Sequence, residues 1–376
     1  MGDGPRILLN AEAFGFGPAA ASAVLAEELL ACGAELGYVG GGHTLDLQHR
    51  PPYTAVHDVT GLSEAACLDR LRGLAGEYDA VLTSMDFAFG LTARQAGFRV
   101  AVYDALAWFW PWVWPVVRDE SVLYLAQDFF GVRERVAGEP ELAGARSVVV
   151  PPLVEPGGGW TGGGPAGVGG QVVVNLGGLC NPFWETGEVE AYARLVVQGV
   201  RSAVPASCSV LVVTSEGIAR ELASSVSGVT VGTYRRGEVL DLLRDAPYAF
   251  MTPGLGNIYD AGATGVPTVF LPATNTTQAQ QAEVVAAHGY CDGLVDWADF
   301  GLAVDFGDGA PEMAGVLTSA LRELSGDPDG RFARRVADAV AGMGKGRATG
   351  LLDRFGSGGA RVAAAAVVRW VQSGDA

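Results

Sequence analysis

Short apolar runs, many of them β-branched, alternate with stretches whose apolar positions recur every three or four residues, and this alternation fills the chain from residue 6 to about residue 150. Runs of four to six apolar residues suit strands buried on both faces of a parallel sheet, and the segments between them suit crossover helices. The pattern predicts strands at 6–10, 35–39, 80–84, 99–102, 122–126 and 147–150, and a helix over 19–32 on which Val24, Leu25, Leu29 and Cys32 recur at helical spacing. Residues 1–150 read as one Rossmann-like domain. Then Pro151, Pro152, Pro156 and Pro165 fall within a glycine run too flexible to pack, so 151–170 reads as a linker. The alternation restarts with strands at 172–176, 209–214, 248–251 and 268–271 and helices at 189–204 and 238–244, which makes 171–376 a second Rossmann-like domain. The apolar segment 360–371 is expected to be helical, but its pattern fixes no partner.

Composition narrows the function. A chain of 376 residues suits two α/β domains, and with 18% charged and 49% hydrophobic residues it is expected to fold. The formal charge of −17 argues against nucleic acid as a partner, because that affinity comes from clustered Lys and Arg. Lys345 is the single lysine beside 54 glycines, which fits a G+C-rich codon bias. Cys32, Cys67, Cys180, Cys208 and Cys291 are scattered, with no C-x-x-C spacing, so reduced core residues are expected rather than disulfides or zinc ligands. The N-terminus shows no basic-then-apolar signal, and no run of about 18 apolar residues could span a bilayer. A cytoplasmic protein without stable membrane insertion is the expectation.

The most informative stretch is Met251-Thr-Pro-Gly-Leu-Gly-Asn-Ile-Tyr-Asp-Ala-Gly-Ala-Thr-Gly-Val-Pro-Thr-Val-Phe-Leu-Pro272. A strand ends in a glycine loop, a helix begins near Asn257, an acid follows at Asp260, and Gly265-Val-Pro turns the chain into the next strand. A helix N-terminus reached through glycines offers free N–H groups and a positive dipole end to a phosphate. Asp260, one turn on, can accept hydrogen bonds from a ribose diol. An ordinary tight strand-to-helix turn would use the same glycines.

From Thr252 to Gln281 this order of glycine loop, helix start, acid, Gly-Val-Pro, apolar strand, Pro and then glutamines resembles the donor-binding motif of GT-B glycosyltransferases, including the UDP-glycosyltransferases and the murein GlcNAc-transferase. The resemblance implies an α/β GT-B fold, two Rossmann-like domains facing each other across a cleft, with the acceptor bound by the first and the donor by the second. It implies that Asp260 holds the nucleotide ribose, that Gly254, Gly256 and Asn257 hold the diphosphate, and that Thr277 and Gln278 touch the donor sugar. Thr252 stands where many members have a phosphate-contacting His, Asp260 replaces a commoner Glu, and Thr277 replaces the usual Asp. Two more loops agree with the family's order: Glu12-Ala-Phe-Gly-Phe-Gly-Pro18, and Asn175-Leu-Gly-Gly178 after the first strand of the second domain. Gly17, Asn175 and Gly177 therefore join the candidate donor residues, and Tyr234 is counted among them as well.

A base must remove a proton from the acceptor as it attacks the anomeric carbon. UDP-glycosyltransferases usually place a His in the first loop, paired to an Asp after a later strand; here the first-loop position is Pro18, while the Asp corresponds to Asp86. Asp86 and Glu12 are the candidate catalytic residues. Each could instead be a capping or loop-stabilising acid, and Asp86 at the head of a helix suits a cap. Asp104 and Asp128, also after strands, follow behind them. His43, after the Gly40-Gly-Gly42 turn, could contact the acceptor or simply be solvated. Trp108-Phe-Trp-Pro-Trp112-Val-Trp114-Pro could line a flat apolar acceptor pocket, pack as core, or dip into a membrane interface, and no adjacent basic cluster supports the last. No metal-ligand spacing and no D-x-D after a strand is present, so neither a metal site nor a cofactor is expected.

More narrowly, Phe14-Gly-Phe-Gly-Pro18, Gly40-Gly-Gly42, Tyr103-Asp-Ala-Leu-Ala-Trp108 and Tyr124-Leu-Ala-Gln-Asp-Phe-Phe-Gly131 look like the cytosylglucuronate synthases of nucleoside-antibiotic pathways. That likeness implies an inverting transfer of glucuronate from UDP-glucuronate to N1 of cytosine or hydroxymethylcytosine, with Phe16, His43, Asp104 and Trp108 toward the acceptor. The alternatives are a GT-B transferase for another natural product or cell-wall precursor, a non-transferring sugar-nucleotide epimerase, and a sugar-nucleotide sensor. The partners expected are a nucleotide-sugar donor and a small-molecule acceptor; the oligomeric state is not fixed by the sequence.

Overall fold

A computed structural model describes residues 4–48, 53–143, 146–155, 157, 160, 169–177, 179, 186–302, 310–324 and 329–374. Most of the expected linker, 161–168 above all, lies outside these residues, as do Gly178 and Cys180. Two compact units are present: residues 1–155 with 355–376, and residues 156–354.

In the first unit seven parallel strands, β1 (Arg6–Ala11), β2 (Glu35–Gly40), β3 (Tyr53–Asp58), β4 (Ala80–Ser84), β5 (Val100–Asp104), β6 (Leu123–Gln127) and β7 (Ser147–Val150), form one sheet in the order β3-β2-β1-β4-β5-β6-β7. Ile7, Leu8 and Leu9 of β1 and Val81 and Leu82 of β4 are fully buried, as strands covered on both faces must be. β3, at the edge, alternates half-buried and exposed residues and is the strand that the apolar-run criterion missed. Helices α1 (Gly17–Ala31), α2 (Glu64–Leu74), α3 (Phe87–Gln95) and α4 (Val132–Gly138) connect the strands. The strand order reverses between β1 and β4, which opens a crevice at their carboxyl ends.

The second unit repeats the plan. β8 (Gln171–Gly177), β9 (Ser209–Thr214), β10 (Thr230–Gly232), β11 (Ala249–Met251), β12 (Thr268–Phe270) and β13 (Gly293–Leu294) run parallel in the order β10-β9-β8-β11-β12-β13, so the order reverses between β8 and β11. The helices are α5 (Thr186–Ala203), α6 (Glu216–Ser225), α7 (Arg236–Asp245), α8 (Leu255–Thr264), α9 (Thr276–Ala287), α10 (Ala310–Leu324), α11 (Arg331–Ala341) and α12 (Gly350–Phe355). Gly265 ends α8 at φ +72°, a left-handed cap that a residue with a Cβ adopts only under strain.

The last helix, α13 (Gly359–Gln372), corrects the expected boundary of 171–376. It belongs to the first unit, where Ala360, Ala363, Ala364 and Val367 join one core with Leu25 and Leu29 of α1 and Ile7 and Leu9 of β1. Its small side chains allow close approach, and a Cβ on Gly359 would lie 1.8 Å from the Pro151 carbonyl oxygen. Arg99 locks the far end: its guanidinium donates to the carbonyls of Trp370 (2.7 Å) and Val371 (2.9 Å) and lies 4.3 Å from the Trp370 ring centroid. Arg99→Ala is expected to cost about 1.5–3 kcal/mol of stability without changing ligand affinity, measured by denaturant melts and calorimetry.

Among the described cysteines no disulfide forms, but only Cys208 is buried; Cys32 is exposed and Cys67 and Cys291 are intermediate, so the expected core placement holds for one. No helix among the described residues is long and apolar enough to cross a membrane.

Candidate active site

Both sheets carry a buried Asn as the fifth residue of their first strand, Asn10 in β1 and Asn175 in β8. A buried amide must find partners: Asn10 donates to the Val39 carbonyl of β2 (3.1 Å) and accepts from the Thr83 hydroxyl of β4 (2.7 Å), across the reversal point. Asn175 donates from Nδ2 to Oδ1 of Asn257 (3.0 Å) and accepts from the Gly177 amide (3.0 Å). Asn257 in turn donates to the Thr252 carbonyl (2.9 Å) and hydroxyl (3.1 Å). This chain of bonds ties the loop after β8, the end of β11 and the first turn of α8 into one edge. Gly254 is the N-cap of α8 and offers no side chain, so the first amides of the helix, including those of exposed Gly256 and of Asn257, keep their donors for a ligand.

Asp260 lies in the second turn of α8 and is buried. Its carboxylate is paired: Arg236, the first residue of α7, brings Nη2 to 2.5 Å and Nε to 3.2 Å of Oδ1. Both bonds fall on Oδ1. Tyr234 is half-buried between β10 and α7, two residues before Arg236. On the other side, the loop after β12 is fixed by Tyr192 and Trp297, which donate to the carbonyls of Pro272 (2.7 Å) and Ala273 (2.8 Å). Asn275 then caps α9 and accepts from the Thr277 hydroxyl (2.7 Å), while Gln278 Oε1 accepts from the Thr274 amide (2.9 Å) and hydroxyl (3.0 Å). The carbonyl side of Gln278 is thus committed to the loop, and its NH2 group makes no hydrogen bond among the described residues.

In the first unit Glu12 directly follows β1 and Asp86 follows β4, so the two carboxylates flank the crevice at the reversal point. The Glu12 amide donates to the Ser84 carbonyl (3.0 Å), which binds the two loops together. Burial, and then the charge of Asp86, raise the Glu12 carboxyl from 4.5 to about 7. Asp86 is raised too, by burial, against the amide of Phe89 that donates to Oδ1 at 2.9 Å. Asp86 is therefore a helix cap, while Glu12 accepts no hydrogen bond among the described residues. Met85, just before Asp86, stands at φ +69°, a left-handed conformation that costs a residue with a side chain about 1–2 kcal/mol.

The remaining candidates separate. His43 Nε2 lies 2.6 Å from the Gly15 carbonyl and its ring stacks on Phe16 at 6.0 Å, so a histidine from outside the first loop clamps that loop. Gly17 is exposed at the start of α1, and Pro18 follows it in the first turn. Asp104 is fully buried: Oδ2 accepts from the Tyr124 hydroxyl (2.7 Å), and Oδ1 from the Leu106 amide (2.7 Å) and the Trp110 indole (3.4 Å). Burial raises its carboxyl to about 6 against those bonds. Through these bonds Asp104 anchors the aromatic loop. Asp128 is likewise buried, paired to Arg133 at 2.6 Å. Trp108 is half-buried against Phe109 and Phe129, and Phe87, Trp110, Trp112 and Trp114 pack on one another, with Phe87 and Trp114 stacked at 4.7 Å. Arg236 is the residue that sequence reasoning missed. Its signal was a cation at a helix N-terminus, where the dipole disfavours it. Among the described residues no three His, Cys, Asp or Glu side chains gather into a set that could hold a metal ion.

Two parallel sheets with the same order reversal, each carrying its polar groups at that point, define the class of the fold as GT-B. No family model matches the chain, and no curated protein matches it. Solved structures do: the glycosyltransferase SnogD from Streptomyces nogalater, at 15% identity and a TM-score of 0.55 over 98% of this chain and 99% of that one, and the spinosyn forosaminyltransferase SpnP, at 16% and 0.53 over the same shares. Arabidopsis thaliana UGT89C1, complexed with UDP, is similar at 12% identity and a TM-score of 0.53, again over 98% and 99%. At these identities the likeness is one of fold.

Proposed function

We propose that the protein is an inverting glycosyltransferase, with a nucleotide-sugar site in the second unit and an acceptor and base in the first. The observation that carries this reading is the Asn175–Asn257–Thr252 chain of hydrogen bonds, which presents the uncapped start of α8 at the reversal point of the second sheet. Amides and a helix end meet the charge of a diphosphate, and they meet it best as that group leaves with the electron pair of the glycosidic bond. Asp260 with Tyr234 takes the nucleoside, and Thr277 with Gln278 takes the sugar. The UDP seen in the Arabidopsis fold neighbour favours uridine as the nucleoside.

On the acceptor side Glu12 is the base and Asp86 its partner. A carboxylate with its pKa near 7 is matched to proton removal at neutral pH far better than an unperturbed one. With UDP-glucuronate and cytosine as best substrates, N1 attacks the anomeric carbon, its proton passes to Glu12, and UDP departs from the opposite face. Phe16 and Trp108 offer faces for a flat heterocycle, and His43 holds the loop that carries Phe16.

A thermal-shift panel of nucleoside diphosphates tests the site, since a ligand that binds only the folded state raises the melting temperature. UDP is expected to shift it, and no shift with any nucleoside diphosphate would contradict the reading. Transfer is also expected to survive EDTA, because α8 meets the leaving charge; strict dependence on magnesium would refute that assignment.

A further inference from the structure

When both are ionised, Glu12 and Asp86 repel each other, and the repulsion lasts only if the backbone stops them moving apart. Both sit on short connections: Glu12 is the first residue after β1, and Met85 and Asp86 alone join β4 to α3. Met85 makes the reversal. At φ +69° it turns the chain within one residue, where an extended residue would carry Asp86 about 3.3 Å further along the strand. Glycine takes this conformation freely. Methionine adds what glycine lacks: its buried sulfur accepts from the Ala105 amide (3.0 Å) just past β5, while its own amide donates to the Tyr103 carbonyl (2.9 Å) of that strand. Burial would favour any apolar side chain here, but the sulfur bond is particular to methionine. The turn is thereby fastened to β5 on one side, as the Glu12 amide on the Ser84 carbonyl (3.0 Å) fastens it to β1 on the other.

We propose that Met85 is a positioning residue for the base: its left-handed turn, tied to β5 through amide and sulfur, holds the Asp86 carboxylate near Glu12 against their mutual repulsion. The inference rests on the reading of Glu12 as the base and adds the residue that tunes it through Asp86. The Asp86 charge also reaches Tyr38 of β2 and Cys67 of α2. Burial keeps both of these neutral near pH 7, so the titration of Glu12 reports where Asp86 stands.

The test follows that titration by NMR of protein labelled with 13C at the glutamate carboxyls, with Glu12→Gln to assign the signal, beside the pH profile of kcat. The variants are Met85→Leu, which keeps an apolar side chain without the acceptor, Met85→Gly, which frees the turn, and each combined with Asp86→Asn. Both single variants are expected to titrate Glu12 at lower pH than the wild type, Met85→Gly the more so. Their kcat at pH 6, taken relative to its plateau, should rise about threefold, the scale of one weakened like charge. In the Asp86→Asn background neither change should move the titration further. If Met85 only packs, the variants melt earlier but Glu12 titrates as in the wild type, and the proposal is overturned. A shift of equal size in the Asp86→Asn background overturns it too, because Met85 would then act without Asp86. Should Met85→Gly fail to fold, Met85→Leu decides. A Glu12 titration that moves as expected while kcat does not follow keeps the positioning role and overturns the base reading alone.

Discussion

Glu12→Gln is expected to lower turnover by about 10²–10⁴ while leaving UDP affinity unchanged, and to make the protein more stable at and above neutral pH. The first effect follows from removal of the base, read as kcat under saturating donor. In the wild type the rate should rise with pH through about 7, because only ionised Glu12 accepts the proton. Asp86→Asn should behave differently. An Asn still caps α3, and loss of the neighbouring charge moves the acidic limb to lower pH without abolishing turnover. The second effect follows from linkage. The folded protein holds the Glu12 proton more tightly than the unfolded chain does, so the neutral form is the one that folding favours. Its contribution is present in full below the ordinary carboxylate range and is lost as pH rises from 4.5 through about 7. A shift of that size corresponds to about 3 kcal/mol at most, which glutamine does not forfeit. Denaturant melts of both proteins at pH 5 and pH 8 check the sign: the gain should appear at pH 8 and shrink at pH 5. Near-normal turnover in Glu12→Gln would make the residue structural.

Asp260→Asn is expected to weaken UDP binding by about 1.5–3 kcal/mol, the scale for a hydrogen bond to a charged group. Asp260→Ala would do more than that. It removes one partner of a buried ion pair, a change that costs about 3–5 kcal/mol of folding stability. Calorimetry with the asparagine variant isolates the binding term, and unchanged affinity there would remove Asp260 from the site.

What could be read from the sequence follows from what each feature depends on. The strands β1, β2, β4, β5, β6, β8 and β9 announce themselves because burial on both faces makes them continuous apolar runs. The edge strands β3, β10 and β13 are short or half-exposed and carry no such run. The loop at Thr252–Asn257 was legible because local glycine chemistry sets it. The Arg236–Asp260 pair was not, since it joins residues 24 positions apart on different helices. Glu12 and Asp86 stood level as candidates, both acids after buried strands. The Phe89 amide, three residues past Asp86, makes the helix cap that the sequence already allowed, while the burial of Glu12 and the charge of Asp86 beside it come from the fold. The alanine-rich α13 could have covered any apolar face; Arg99 and the bare backbone of Gly359 decide which.

The central claim is sugar transfer, and product analysis tests it most directly. The purified protein, given UDP-glucuronate with a labelled sugar and cytosine, should release UDP in equal amount to a labelled N1-glucuronide whose anomeric configuration is inverted, read by mass spectrometry and NMR. A different UDP-sugar or acceptor giving an inverted glycoside would keep the transferase and change its substrate. Return of every UDP-sugar tested, unchanged or epimerised, with no label on any acceptor would contradict the claim.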